Sequence, residues 1–466
     1  MDLRRVIIGG PAYLRSRLQG SRTFQASVWT TSIFALTQIL RVGANLIITR
    51  LLAPEMFGVM SIVQVVNVIL SLLCDVGLQP LVVQSRRGDE PTFLDTIWSI
   101  QIIRGICIWL VGLLIALVLL VCGRSGLLPA ASAWSTPELP AVMAVALFSA
   151  VVGGFQSSRL LTAYRNMALK KVVLIELIAQ VAGLVAMIAL AFATRSIWSL
   201  VAAFLVTSLV STMLSHVWLS GHRDGLAWDR EALAEIYRSG GWILVSSLTF
   251  VAAASADRLM LAGYVDSTQL GLYAIAYNLV VLFDTIGSRL FNSVVLPTLS
   301  EVARNDATVV RAPLLRQRLY FDTGYLVVAG MLFATGAAVI HFLFDDRYAS
   351  AGPILQILSC GLIFSRYQIF SSAYMALGRP ELMARMNIIK LVSIVVLMPV
   401  AYRLFGFDGV LVAVAIHAAP SIAAMFWVNR KLGLNDFRFE VMVLPAWILG
   451  FALGVGGLRL LHWMFG

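Results

Sequence analysis

Long apolar runs alternate with short polar links from residue 25 to the end of the chain. A helix needs about 20 mostly apolar residues to cross a bilayer. By that measure the pattern predicts about thirteen spans. In the first half they fall near 25–49, 58–83, 93–122, 140–163, 172–193 and 196–220. The remainder fall near 239–263, 270–297, 319–344, 351–377, 382–404, 407–429 and 441–465. A broken final run would make fourteen. The expected architecture is an all-α polytopic membrane protein.

The stretch 239–297 organises the rest. Two apolar runs flank the link DSTQ, and LLAPEMFGVMSIVQVV (51–66) repeats that outline near the N-terminus. Laying FGVMSIVQVV over LGLYAIAYNL pairs Gly58 with Gly271, Ile62 with Ile275, Trp29 with Trp242 and Leu46 with Leu259 without a gap. Those identities barely exceed chance, but hairpin, link and linker fall into register. The expected division is a basic tail over 1–24, a six-helix bundle over 25–220 and a linker over 221–238. A second six-helix bundle over 239–430 and an extra C-terminal segment over 431–466 complete it. Six spans per half is even, so the two repeats should have parallel topology, with a central cavity between them. Helical spacing of Leu233, Ile236 and Tyr237 predicts an amphipathic surface helix in the linker.

Composition agrees. Of 466 residues, 59% are hydrophobic and 13% charged, and mean hydropathy is +0.87. No soluble fold buries that much apolar surface. The net charge of +11 then belongs to loops rather than to nucleic-acid binding. Arginines and lysines crowd alternate links: the tail, Arg86 and Arg87, Arg159 to Lys171, 221–238, 298–318, Arg379 with Arg385, and 429–440. The intervening links hold one each, at Arg50, Arg124, Arg195, Arg347, Arg403 and Arg459. This asymmetry places the N-terminus in the cytoplasm. It also makes 221–238 and 298–318 the long cytoplasmic loops.

The polar residues inside the runs are the candidates for function, because a charge at that depth needs a partner or a cavity. Gln38, Arg41 and Asn45 form one helical stripe, and Gln64, Asn67, Ser71 and Asp75 form another. Either they glue helices together or they line a wet path. Arg41, Arg104, Arg258, Arg289 and Arg366 are expected to contact an anionic headgroup, which suits guanidinium forks. Arg258 has a second reading, as a structural ion pair with Asp257 or a neighbouring helix. Asp75, Asp257 and Asp284 are expected coupling or arginine-positioning carboxylates. Lys390 is expected to snorkel, and His417 to be packing.

Enzyme signatures are missing. The chain has no Walker A, GxSxG or HExxH pattern. Cys74, Cys107, Cys122 and Cys360 are scattered singly, without metal or disulfide spacing. No cofactor is expected. A polysaccharide polymerase or ligase would want a reactive outer loop, and the longest outer link, 123–139, is poor in such residues. A drug or cation antiporter should show a carboxylate-dominated cavity.

The motifs LLAPEMFGVMSIVQVV, CDVGLQPLVVQSRR (74–87), SADRLMLAGYVDSTQLGLYAIAYNL (255–279) and LPTLSEV (296–302) resemble one family. It is the polysaccharide-exporting branch of the MOP superfamily, the Wzx-type, colanic-acid-exporter-like oligosaccharide flippases. The resemblance covers roughly 25–430. It implies two six-helix bundles around a central cavity, alternating access, and a bacterial inner-membrane location. The implied cargo is undecaprenyl-diphosphate-linked oligosaccharide, destined for exopolysaccharide or lipopolysaccharide. Membrane lipids and polysaccharide polymerase or export machinery are the implied partners. Members often have twelve or fourteen spans. A drug/cation antiporter of the same fold is the alternative.

Overall fold

A computed structural model describes residues 37–38, 40–74, 77–129, 131–166, 168–233, 255–305 and 310–465. Every regular element among them is helical. Among the described residues, nine helices are long and apolar enough to span a membrane, or ten if one bent pair counts as a span. The chain is a multi-pass membrane protein. The expected spans 25–49 and 239–263 lie largely outside the described residues, as does Asp75.

Contacts divide the chain into two compact units. The first takes residues 1–51, 74–114 and 142–244. Its helices are α1 (37, 38 and 40–51), α3 (Leu78–Gln84), most of α4 (Pro91–Arg124), and a broken run comprising α5 (Leu139–Ala146), α6 (Phe148–Gly154) and α7 (Arg159–Arg165). α8 (Leu169–Thr194) and α9 (Trp198–Trp218) form a hairpin. The second unit takes 52–73, 115–141 and 245–466. It holds α2 (Pro54–Leu73), α10 (255–264) and α11 (Ser267–Leu290). α12 (Leu296–Asn305), α13 (Arg311–Leu343) and α14 (Ala351–Ser359) follow. Then come α15 (Leu362–Ser365), α16 (Ile369–Ala376), α17 (Pro380–Ile416), α18 (Ala419–Lys431), α19 (Phe437–Val443) and α20 (Pro445–Phe465).

Sequence explains the breaks. The expected run 58–83 stops at Leu73 and resumes at Leu78, after Gly77 with φ 70°, a left-handed conformation that favours glycine. The run 140–163 bends by 66°. The Gln101 side chain donates to the carbonyls of Gly153, Gly154 and Gln156 there, so the freed backbone groups are satisfied. α17 turns at Gly406, φ 61°, between the two spans expected at 382–404 and 407–429. Pro297 has no N–H to give, and the backbone ahead of it widens into a π turn over Phe291–Val295.

Two loop expectations are corrected. Much of 298–318 is helix: α12 runs to Asn305 and α13 starts at Arg311. These segments carry their own buried positions, Leu299, Val310 and Leu314. The linker is not helical over 222–229. Side chains of α4 take up its backbone donors and hold it extended; a helical turn opens only at Arg230, and the expected 236–237 face lies outside the described residues. The basic residues of this end cap helices. Arg165 donates to the carbonyls of Val82, Val83 and Ser85 at the end of α3. Arg159 donates to those of His216, Leu219 and His222 past the end of α9. Cations suit these C-terminal carbonyls.

The start of α2 meets the start of α11 in a reciprocal contact. A Cβ on Gly58 would lie 1.9 Å from the Ser267 carbonyl oxygen, and one on Gly271 would lie 1.9 Å from that of Pro54. Thr268 donates to Glu55 at 3.3 Å, across a sequence separation of 213 residues. Gly58 and Gly271, and Pro54 and Ser267, are separated by the same offset, so each helix presents to the other what it receives. This is the geometry of an isologous contact. Gly58→Ala or Gly271→Ala must push two backbones apart, at a cost of about 1–3 kcal/mol. Gly43→Ala and Gly263→Ala meet open space and should melt like the parent. Thermal unfolding of detergent-purified protein measures the difference.

Candidate functional site

In the first unit, α1 buries Ala44, Ile48 and Thr49. Its polar stripe falls on another side, with Gln38 and Asn45 half-buried and Arg41 exposed. Arg41 makes no hydrogen bond or ion pair with any described residue. A guanidinium inside an apolar run costs several kcal/mol when it faces hydrocarbon alone, so this one needs water or an anion in front of it. Arg104 on α4 is half-buried and is not free of partners.

In the second unit, Gln64 on α2 is exposed and Asn67 half-buried, so this stripe also lies off the face that buries Gly58, Ile62 and Val66. Asp257 and Arg258 adjoin on α10 but do not pair. Consecutive helical side chains point about 100° apart. Asp257, 8% exposed, accepts from the Tyr273 hydroxyl at 2.5 Å. The Arg258 guanidinium instead lies over the Tyr277 ring, 4.4 Å from its centre, and Tyr273 stacks on Tyr277 at 5.6 Å. In place of the Asp257 ion pair that formed part of the second reading of Arg258, a layered set of aromatic rings on α11 fixes both.

Two turns beyond Tyr277 on α11, Asp284 accepts from Ser365 at 3.1 Å, and Ser288 donates to Gln368 at 3.2 Å. Lys390 on α17 is half-buried and close enough to Asp284 for the two opposite charges to interact. Arg289 is exposed and not free of partners. His417 has its Nδ1 2.6 Å from the Val414 carbonyl oxygen of its own helix, a local contact.

Arg366 is committed elsewhere. It lies 3% exposed and donates to Asp322 at 3.2 Å, to Glu440 at 2.9 Å and to the Tyr367 hydroxyl at 2.6 Å. Arg318, fully buried, donates to Asp322 at 2.7 Å and Glu440 at 2.6 Å. Phe370 and Phe439 cover its guanidinium at 4.7 and 4.9 Å. Two arginines and two carboxylates give a neutral knot that ties α13, the turn at Arg366 and α19 together. This corrects the expectation of a headgroup contact for Arg366, since its fork is already occupied. Sequence reasoning missed Arg318 and Glu440 because it put the first in a loop and the second outside the bundle. The available signal was the i, i+4 spacing of Arg318 and Asp322, with a lone acid at the head of the last apolar run. Of the five arginines expected to meet cargo, Arg41 alone shows no partner among the described residues.

Comparison with known proteins shows the family and the fold. The family model described as "Polysaccharide biosynthesis protein" matches residues 47–323. The lipopolysaccharide biosynthesis protein WzxC of Escherichia coli (strain K12) is 21% identical over 455 residues, covering 93% of this chain and 88% of that one. Among solved structures, an inward-facing multidrug resistance MATE transporter of the MOP superfamily superposes with a TM-score of 0.66 at 15% identity, covering 87% and 98% of the chains. Lipid II flippase MurJ, in an inward closed conformation, gives 0.66 at 13% identity, covering 92% and 98%. These two share the fold. The chain belongs to the polysaccharide biosynthesis protein family.

Proposed function

We propose that this protein flips an undecaprenyl-diphosphate-linked oligosaccharide from the cytoplasmic to the outer leaflet of the bacterial inner membrane, by alternating access. Membership of a polysaccharide biosynthesis family carries this reading. Two structures of the same fold, a multidrug transporter and a lipid flippase, are equally similar, so fold alone does not choose between them. The biosynthetic family does. The residues add a physical argument: a lipid diphosphate needs cations where water is scarce, and Arg41 offers a fork that no described residue occupies. Arg41, Gln38 and Asn45 on α1, with Arg104, are the proposed headgroup contacts of the first unit. Arg258, Arg289, Gln64 and Asn67 are those of the second. Asp257 and Asp284 position or couple, with Asp75 a further candidate.

The proposed organisation keeps two six-helix repeats of parallel topology, over 25–220 and 239–430, with the N-terminus in the cytoplasm. The reciprocal Gly58 and Gly271 contact supports the duplication, because its offset is the one that aligns the two hairpins. Polymerase and export machinery would take the cargo onward. Deleting the gene and analysing lipid-linked intermediates tests the proposal. Accumulation of the oligosaccharide on the inner leaflet is expected. Unchanged glycan output together with lost resistance to cationic drugs would place the protein among the antiporters instead.

A further inference from the structure

The segment that was expected to be a surface helix is an extended strap with two chemically distinct faces. Its inward face is fastened to the first unit. Gly225 donates its N–H to Asp95 at 2.8 Å, Ala227 to the Ser99 hydroxyl at 3.2 Å, and Asp229 to the Thr96 hydroxyl at 3.1 Å. Every second backbone N–H is thus used on the first turns of α4, as an edge strand would use a sheet. Side chains fasten it further. Asp224 accepts from the Ser157 hydroxyl at 2.6 Å and from the Ser158 N–H at 3.1 Å. His222 lies 2.7 Å from Asp95, and Arg87 donates to Asp229 at 2.6 Å.

What the fastening turns outward is Arg223, Leu226, Trp228 and Arg230, all exposed. Leu226 is 79% and Trp228 60% exposed. Arg223 and Arg230 make no hydrogen bond or ion pair with any described residue. A shallow groove of about 370 Å³ runs beneath, lined by Ser99, Ile102 and Ile103 of α4 and by Leu226, Ala227 and Trp228. It opens onto the stripe Ile103, Ile106, Leu110, Leu114, Leu117 and Val121 of α4, which is exposed at helical spacing. On a membrane protein such a stripe faces acyl chains.

We infer that the strap 223–230 is a docking surface for an anionic phospholipid of the cytoplasmic leaflet, its headgroup held by Arg223 and Arg230 and an acyl chain laid in the groove under Leu226 and Trp228. Three features select this occupant. Two guanidiniums that pair with no described residue match a phosphate rather than a zwitterionic or neutral headgroup. A tryptophan between them matches the membrane–water interface, where its amphipathic ring is favoured. The groove shares Ile103 with the exposed apolar stripe of α4. A soluble partner would leave the Leu226 end against acyl chains, which fits it poorly. The rigid fastening also means that little ordering is lost on binding, since the strap is already extended. The inference rests on the cytoplasmic orientation proposed above.

The test uses the full chain in nanodiscs containing brominated phosphatidylglycerol or brominated phosphatidylcholine. The Trp228 signal is the difference between the parent and Trp228→Phe. Quenching should be strong with phosphatidylglycerol and weaker with phosphatidylcholine, and added salt should narrow the gap. Each of Arg223→Gln and Arg230→Gln should cut the preference for the anionic lipid roughly fivefold, from about 1 kcal/mol per basic residue near such a surface. Equal quenching by both lipids would overturn the headgroup assignment, and no quenching by either would overturn membrane docking. Labelling of Glu231→Cys by an impermeant reagent in inside-out vesicles reports orientation separately, so a topological error is distinguishable from a wrong occupant.

Discussion

Glu440→Ala is expected to destabilise the protein by about 3–5 kcal/mol, the cost of stranding a buried charge by removing its partner. That is a large part of a stability of roughly 5–15 kcal/mol. The reason is geometric. Glu440 accepts from Arg318, Arg366 and Tyr367, so its loss leaves two guanidiniums facing one carboxylate, Asp322, with aromatic rings around them. The effect should reach the whole C-terminal segment, because α19 has no other charge holding it in this knot. α20 continues along α13 through close backbone approaches. A Cβ on Gly330 would fall 2.1 Å from the Trp447 carbonyl oxygen, and one on Gly450 2.1 Å from that of Val327. Small residues at such crossings let helix backbones touch, as membrane packing requires. Thermal unfolding in detergent should show a large drop for Glu440→Ala and for Arg366→Ala. In the double variant the losses should fall short of additive, since both act on one network. Additive losses would mean that the two residues belong to separate sites.

Arg41→Ala should do the opposite. Stability is expected to stay near the parent value, because Arg41 makes no hydrogen bond or ion pair with any described residue, while export should fall by roughly 10- to 150-fold. That range corresponds to about 1.5–3 kcal/mol for a lost hydrogen bond to a charged group. Arg41→Lys should recover only part of the export, since a point charge cannot grip two phosphate oxygens as a planar fork does. The readout is surface polysaccharide in a strain whose own copy is deleted, with protein abundance measured alongside. Full export by Arg41→Ala would remove Arg41 from the cargo path. Comparing Arg41 with Arg366 separates two kinds of membrane arginine, one with no polar partner among the described residues and one that has its partners built in.

Much of the fold is legible in the sequence because lipid imposes a simple rule. Each span must satisfy its own backbone, so length and apolarity mark Trp198–Trp218 to within two residues of the expected 196–220, whereas Ser267–Leu290 begins three residues before and ends seven before the expected 270–297. Glycine at 406 marks a break for a similar reason, as does the polar link before Gly58. The candidate site is harder to read. Whether an arginine in an apolar run is spent or free depends on helices far away in sequence. Arg366 meets Glu440, 74 positions on, and no local spacing announces that. Arg258 sits beside Asp257, yet stacks on a tyrosine of the next helix. The strap at 222–229 shows the same limit. Its residues alternate in a way a helix would not exploit, and the Asp95, Thr96 and Ser99 side chains that hold it extended lie some 130 residues earlier.

Movement of lipid-linked oligosaccharide by the purified protein tests the central claim most directly. Proteoliposomes would carry a short, labelled undecaprenyl-diphosphate oligosaccharide, with its accessibility to an impermeant sugar-modifying enzyme followed over time. The protein should move label between leaflets, Arg41→Ala should not, and protein-free vesicles should hold the label where it was placed. Vesicles in which the protein drives uptake of a cationic drug while the lipid stays in its leaflet would contradict the account.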